Sequence, residues 1–274
     1  MSDNNGPALR THGLSVRYGG VVANSEIDIT VESGEIVGLI GPNGAGKTTF
    51  VDAVTGFTRS TGGVTLGGVA LDRLGPHRRR RAGLARTWQA GELFGDLTVA
   101  QNLAVAVQPT GLRSIFGDIV KGSAPPGETI DAALELVGVP GVADQRPGEL
   151  TLGRQKLVGV ARALVGGTKV VLLDEPAAGL DTHESREFGS HLRRIAASGI
   201  GVLLIDHDMS LVLDICRRLY VLDFGVVIAA GEPEVIREDP RVIAAYLGTT
   251  GTTGTTGTGG TDPAPAARPA GETV

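Results

Sequence analysis

The sequence predicts an α/β fold with a mainly parallel core sheet, and two observations support this prediction. Short apolar runs without a polar face recur along the chain, which is typical of strands buried on both sides. They occupy residues 35–40, 170–174, 201–205 and 219–223. A mainly helical stretch, about residues 97–165, lies between the first run and the others. We therefore expect a parallel sheet interrupted by an inserted helical subdomain.

The remaining elements follow from local patterns. Residues 8–31 alternate apolar and polar positions around a Gly-Gly turn, which predicts antiparallel strands in a subdomain at one edge. Residues 64–71 predict a hairpin, because a second Gly-Gly pair interrupts their apolar run. Within the helical stretch, Thr98 and Gln101 have the spacing of a capping box. Helices are expected to start there and over residues 128–137 and 153–164.

The turn after the first strand has the pattern G-x-x-x-x-G-K-[ST] of a phosphate-binding loop. The loop consists of Gly41, Pro42, Asn43, Gly44, Ala45, Gly46, Lys47 and Thr48, and Thr49 follows it. A glycine turn at a helix N-terminus presents backbone N–H groups to polyphosphate. Lys47 would reach the β- and γ-phosphates, and Thr48 would offer its hydroxyl to Mg²⁺. The sequence therefore predicts binding of a nucleoside triphosphate.

Acidic residues end the strand at 170–174. Asp174 stands where a carboxylate can hold the Mg²⁺ that bridges the phosphates, and Glu175 stands where it can act as general base on a water. His207 follows the next strand, at the edge where ligands bind in open α/β sheets, although a lone histidine is more often structural. Gln89, after a short predicted strand, is a weaker candidate for the Mg²⁺ and water shell. Tyr18 is a candidate for stacking on adenine or an ordinary strand aromatic.

Composition sets the class of protein. The chain has 274 residues and a net charge of −5, which argues against a general nucleic-acid-binding protein. No apolar run approaches the roughly 18–20 residues that span a bilayer, and residues 1–6 lack a signal-peptide pattern. Cys216 is the only cysteine, and we expect it to be packed in the core. These features favour a soluble intracellular protein.

Two segments lie outside these patterns. Residues 249–274 are a Thr/Gly run followed by Pro/Ala-rich sequence, for which we expect disorder, so the folded domain is expected to span 8–248. The basic run at residues 77–81 is interpreted as a solvated helix, with contact to anionic lipid head groups as the minor alternative.

The motifs, taken together and in this order, resemble the ATP-binding subunits of ABC transporters over about residues 8–248. The resemblance identifies Gly41–Thr48 as the Walker A loop, Asp174 and Glu175 as the Walker B pair, and residues 179–181 as the D-loop. It also implies that Tyr18 stacks on adenine, Gln89 is the Q-loop glutamine and His207 is the switch histidine. The implied cofactors are ATP and Mg²⁺.

Residues 150–155, Leu-Thr-Leu-Gly-Arg-Gln, occupy the place of the family's signature motif LSGGQ but depart from it. Thr151 keeps a hydroxyl, Leu152 replaces the first glycine, and Arg154 replaces the glutamine. In this family the signature covers the ATP held by a second ATPase subunit. The resemblance therefore implies that Thr151 and Gly153 contact the partner's nucleotide, in a homodimer or a heterodimer.

A narrower resemblance is to the branched-chain amino acid importers, whose first ATPase type this chain is similar to. It lies in residues 86–89, 93–98, 203–212, 217–225 and 238–248. It implies two membrane permease subunits, an extracytoplasmic solute-binding protein, and a peripheral position on the cytoplasmic face of the inner membrane. Lipopolysaccharide export, amide or urea uptake, and a weakly active half of a heterodimer remain as alternatives. A soluble ABC ATPase acting on DNA or ribosomes is disfavoured, because the chain has a single Walker A and no long heptad segment.

Overall fold

The computed structural model describes residues 8–87, 93–106 and 126–248. Its strands, in chain order, are β1 (Leu9–Tyr18), β2 (Val21–Ile27), β3 (Thr30–Val31), β4 (Ile36–Ile40), β5 (Thr61–Leu66), β6 (Val69–Ala70), β7 (Leu84–Arg86), β8 (Val170–Asp174), β9 (Gly201–Ile205), β10 (Arg218–Asp223) and β11 (Val226–Gly231). The helices are α1 (Lys47–Thr55), α2 (Pro76–Ala82), α3 (Val99–Ala106), α4 (Pro126–Leu136), α5 (Leu152–Leu164), α6 (Thr182–Ala197), α7 (Met209–Ile215), α8 (Pro233–Glu238) and α9 (Pro240–Gly248).

The strands form two sheets. The core sheet has the order β11-β10-β4-β9-β8-β7, and its neighbouring strands are parallel except for β11, which is antiparallel to β10. The other sheet is antiparallel, with the order β2-β1-β5-β6 and with β3 beside β1. The α/β fold class predicted from the sequence, with its antiparallel edge, is confirmed.

The central strands are buried on both faces, which explains why their sequences have no polar side. Along β4, Ile36 and Ile40 belong to one hydrophobic cluster, whereas Val37 and Leu39 belong to a second. The first cluster includes residues of α3, α4, α5, α6 and α7. The second includes residues of α1, β1 and β5. The core sheet is thus covered by helices on one face and by α1 with the antiparallel sheet on the other.

Between β7 and β8 the described residues form helices. The capping box is present as predicted, because Thr98 N–H donates to the Gln101 side chain at 2.9 Å and Gln101 N–H donates to the Thr98 hydroxyl at 3.2 Å. Leu103 of α3, Leu134 of α4 and Leu157 of α5 are buried in the same cluster. These helices therefore share the core on one face of the sheet, although the exact limits of the helical subdomain stay a prediction. The predicted tail lies outside the described residues.

Cys216 follows α7 and is 6% exposed, so its predicted place in the core is confirmed. Burial raises the pKa of its thiol to about 12, with a smaller contribution from the charge of Asp206. The thiol is therefore protonated and poorly reactive at neutral pH.

The basic run forms α2 as predicted, and three of its five residues are exposed, but the interpretation that the run is solvated is wrong for Arg79 and Arg80. Arg79 is 5% exposed, and its guanidinium donates to the carbonyls of Leu74 (2.8 Å), Ala53 (2.9 Å) and Val54 (2.7 Å). The last two carbonyls belong to the end of α1, where a helix leaves carbonyls without an internal partner. Arg80 also donates to the carbonyl of Val165. Two of the five residues of this basic run thus join α1 and α5 to α2.

We expect Arg79→Met to lower the free energy of unfolding by about 3 kcal/mol, because it leaves buried carbonyls without a donor. For a domain of this size that corresponds to a fall in melting temperature of about 6–12 °C, measurable by calorimetry. Arg78→Met is the matched control, since Arg78 is an exposed neighbour on the same helix. Equal melting temperatures for the two variants would contradict the structural role of Arg79.

Candidate nucleotide-binding site

The glycines of the predicted loop are required by its backbone. Gly41, Gly44 and Gly46 have φ values of 148°, 79° and 99°, which disfavour a side chain. A Cβ on Gly41 would lie 2.0 Å from the Leu222 carbonyl oxygen, and a Cβ on Gly46 would lie 2.7 Å from Nδ2 of Asn24. The loop therefore packs closely against its surroundings and leads directly into α1, whose first residue is Lys47.

Lys47 and Thr48 start α1 from this loop. The Lys47 ammonium donates to the carbonyls of Gly41 at 2.7 Å and Pro42 at 3.0 Å, so it lies folded over the loop. Burial lowers the pKa of Lys47, and the negative charges of Glu175 and Asp174 oppose that shift. Thr48 is exposed at the first turn of α1. The loop thus places a cation near the strand-end carboxylates and an exposed hydroxyl at the start of α1.

Asp174 ends β8 and is 4% exposed. Its Oδ2 accepts a hydrogen bond from Nη2 of Arg86 at 3.0 Å, and another nitrogen of that guanidinium pairs with Asp52 on α1. Burial raises the pKa of Asp174, while the hydrogen bond and charge of Arg86 oppose the rise. Sequence reasoning assigned Arg86 no role in the site. Its place directly before the segment of Gln89 was the available signal.

Glu175 and His207 are brought together by the parallel pairing of β8 and β9. Nδ1 of His207 lies 3.6 Å from Oε1 of Glu175, and Glu175 N–H donates to the Ile205 carbonyl at 2.7 Å. Glu175 has a φ of 48°, an uncommon value for a residue with a side chain, and such residues cluster at functional sites. The buried Asp206 accepts hydrogen bonds from the backbone N–H of His207 at 2.8 Å and of Asp208 at 3.0 Å. That pairing shapes the turn that carries the histidine.

The oxygen donors of the site fit Mg²⁺. A hydroxyl from Thr48 and a carboxylate from Asp174 are hard ligands, and Mg²⁺ is usually held by one or two carboxylates together with substrate phosphates. At Gly44 no atom lies within 4 Å of the place of a Cβ, so a phosphate can approach the backbone there closely. The described residues therefore suit a Mg²⁺–nucleotide complex.

Other predicted site residues lie apart from this cluster. Tyr18 is 52% exposed, and its hydroxyl lies 3.3 Å from Oγ1 of Thr58, beyond the C-terminal end of α1. Thr151 caps α5 by accepting a hydrogen bond from Arg154 N–H at 3.4 Å, and Gly153 lies in the first turn of that helix. The roles predicted for these residues stay predictions. Gln89 lies outside the described residues.

The arrangement defines a class of protein. A left-handed glycine turn leading into a helix, with Lys47 beside the strand-end carboxylates Asp174 and Glu175, is the site of a phosphate-loop nucleotide-binding protein.

Comparison with known proteins narrows this class. A family model described as ABC transporter matches residues 25–178, and one described as branched-chain amino acid ATP-binding cassette transporter matches residues 226–251. The high-affinity branched-chain amino acid transport ATP-binding protein LivG of Salmonella typhimurium is 39% identical over 250 residues, which cover 88% of this chain and 98% of LivG. The lipopolysaccharide export system ATP-binding protein LptB of Haemophilus influenzae is 34% identical over 241 residues, which cover 88% of this chain and 97% of LptB.

The fold is also similar to that of a solved structure. The ADP conformation of an ATP-binding cassette of an ABC transporter superposes with a TM-score of 0.77 at 30% identity, covering 88% of this chain and 99% of the other. The chain belongs to the family of ABC transporter ATP-binding proteins. It therefore binds nucleotide and hydrolyses ATP.

Proposed function

We propose that this chain is the ATP-hydrolysing subunit of an importer of branched-chain or related amino acids. The observation that supports this most directly is the match of residues 226–251 to the branched-chain amino acid transporter model. That segment comprises β11, α8 and α9, outside the ATPase motifs, so it adds information that the phosphate loop does not contain. The similarity to LivG extends over nearly the whole of that protein.

The residues of the site have distinct proposed roles in hydrolysis. The loop N–H groups and Lys47 bind the β- and γ-phosphates, and Thr48 with Asp174 holds Mg²⁺. Mg²⁺, when bound, neutralises charge on the phosphates. Glu175 accepts a proton from the attacking water, and His207, 3.6 Å from it, orients that carboxylate and faces the γ-phosphate. Gln89 completes the Mg²⁺ and water shell, and Tyr18 stacks on adenine.

A second ATPase subunit is the first proposed partner. Thr151 and Leu152 are exposed at the start of α5, where a helix N-terminus with Gly153 in its first turn offers N–H groups to the partner's γ-phosphate. Leu152 lies against Gly179 of the D-loop, because its Cδ2 would be 3.4 Å from a Cβ at that glycine. We infer that closure of the two subunits completes both nucleotide sites.

The permease subunits are the second proposed partners. A groove of about 1060 Å³ is lined by residues of α2, α3, α5 and β7, and its lining also includes Asp174 and Glu175. Its lining includes Phe94 and Val105, which are 53% and 63% exposed, and exposed apolar side chains favour a protein contact. No helix among the described residues is long and apolar enough to cross a membrane. The proposed position is peripheral, on the cytoplasmic face, with a solute-binding protein outside and no nucleic acid partner.

Reconstitution tests the proposed function. The chain is placed in proteoliposomes with a candidate partner ATPase, candidate permeases and a candidate solute-binding protein, all chosen from the genes that flank its own. We expect ATP hydrolysis to be stimulated by the binding protein loaded with leucine, isoleucine or valine, and labelled amino acid to accumulate only when ATP is present. Stimulation by an amide or urea instead would point to another importer, and stimulation by lipopolysaccharide would favour the export alternative.

A further inference from the structure

We propose that Arg86 is a positioning residue for Mg²⁺, because it joins the two elements that hold the metal's protein ligands. It connects α1, which carries Thr48, to the end of β8, which carries Asp174. This inference rests on the proposed nucleotide site. It assigns to a residue of β7 the task of fixing the separation between those two ligands.

The ion pairs of Arg86 are well buried. Its side chain is 7% exposed, Asp174 is 4% exposed and Asp52 is 29% exposed. Nη2 lies 3.0 Å from Oδ2 of Asp174, while Nη1 pairs with Oδ1 of Asp52. The planar guanidinium therefore bridges two carboxylates through different nitrogens, which restricts geometry more than a single contact would.

The position of Asp52 on α1 connects this bridge to the metal site. Asp52 follows Thr48 by four residues, so both side chains lie on the same face of α1. Holding Asp52 against Arg86 turns that face towards Asp174. The neighbouring Thr87 adds a second restraint, because its hydroxyl accepts a hydrogen bond from Asp174 N–H at 3.3 Å. Strand β7 and the residue that follows it thus restrain both the carboxylate and the backbone of Asp174.

Charge balance is compatible with this role. Within the bridge, one guanidinium faces two carboxylates, so the group keeps a net negative charge that still attracts Mg²⁺. Loss of a residue that orients a metal ligand typically lowers metal affinity about 10–100-fold. Arg86 therefore acts by restraining the two Mg²⁺ ligands, and its own positive charge does not compete with Mg²⁺.

The test measures binding without relying on hydrolysis. A fluorescent ATP analogue is titrated in EDTA and at increasing Mg²⁺ concentrations against the full chain, Arg86→Met and Arg86→Lys. For Arg86→Met we expect the affinity for the analogue in EDTA to stay within about twofold of wild type. The Mg²⁺ concentration that produces half of the Mg²⁺-dependent gain in affinity should rise at least about tenfold. Arg86→Lys keeps the positive charge but lacks the planar guanidinium that bridges two carboxylates, so an intermediate Mg²⁺ requirement is expected.

Two further variants separate positioning from general destabilisation. Asp52→Ala should reproduce the change in Mg²⁺ requirement, and the double variant should be no worse than Arg86→Met alone, because both act through one bridge. Arg218→Met is the matched control. Arg218 pairs with the buried Glu35 through both carboxylate oxygens, at 2.9 and 2.8 Å, at the opposite end of the core sheet from the loop. The Arg218→Met variant should have a lower melting temperature than wild type but the same Mg²⁺ requirement.

The outcomes discriminate clearly. An unchanged or lowered Mg²⁺ requirement in Arg86→Met, or an equal rise in Arg218→Met, would overturn the inference while leaving the proposed function intact. Equal loss of affinity with and without Mg²⁺ would also overturn it, because that pattern indicates a disturbed loop. Failure of the wild-type chain to bind the analogue at any Mg²⁺ concentration would instead refute the nucleotide site itself.

Discussion

Replacing Glu175 by glutamine is expected to slow ATP hydrolysis by about 10²–10⁴-fold, the usual contribution of a general base. The amide has nearly the same shape as the carboxylate but cannot accept the proton of the attacking water. Nucleotide affinity should change little, because the contacts assigned to the triphosphate come from the loop, Lys47 and Thr48. Steady-state phosphate release and equilibrium binding of ATP measure the two effects separately.

Glu187→Gln is the matched control for this variant. Glu187 is an exposed glutamate on α6, so the same chemical change there should leave turnover near wild type. If Glu175→Gln hydrolyses ATP at a near-normal rate, Glu175 is not the base. Its distance of 3.6 Å from His207 would then describe an ion-pair contact without a catalytic task.

The core sheet could be predicted because its signal is local. Each central strand is a short apolar run, and the burial of every residue of β4, β8 and β9 shows why no polar alternation appears there. The phosphate loop is equally local, since its glycines are needed for a backbone with positive φ. Patterns within a few residues were therefore sufficient for the fold class and for one half of the site.

The roles of Arg79 and Arg86 were not predicted, because their partners lie far away in the sequence. Arg79 is separated by 25 and 26 residues from the carbonyls it contacts on α1, and Arg86 is 88 residues from Asp174. A run of arginines gives no local sign of such pairing, so the run was interpreted as solvated. Only the topology, which places β7 beside β8 and α2 beside α1, identifies which cations are structural.

The site residues that follow β8 and β9 could be predicted only in part. Because β8 and β9 are parallel neighbours, Asp174 pairs in register with Ile205, and residues that follow both strands must meet at one edge. That rule predicts that Glu175 and His207 both lie at the ligand-binding edge, but it does not predict the contact between them. It does not give the hydrogen bonds of the loop itself, such as the contact of Lys47 with the Gly41 and Pro42 carbonyls.

Replacing Lys47 by alanine is expected to weaken ATP binding at least about tenfold, because a hydrogen bond to a charged group is worth about 1.5–3 kcal/mol and about 1.4 kcal/mol is one factor of ten in affinity. In the structure the ammonium donates to two carbonyls of the loop. With nucleotide present it would exchange these neutral acceptors for phosphate oxygens. The loss should therefore appear mainly in nucleotide affinity, measured by equilibrium titration.

The loop contacts also make the control for this variant essential. Alanine removes the donors for the Gly41 and Pro42 carbonyls, so a distorted loop would lower affinity without any direct phosphate contact. Lys47→Arg keeps a cation at the position, whereas Lys169→Ala removes an exposed lysine just before β8, at the other end of that strand from Asp174. If Lys47 binds phosphate through its charge, affinity should follow the order wild type, Lys47→Arg, Lys47→Ala, with Lys169→Ala equal to wild type. Retained tight ATP binding by Lys47→Ala, with an unchanged melting temperature, would contradict the assignment of this loop. Helix α1 contains no other lysine or arginine that could take over the phosphate contact.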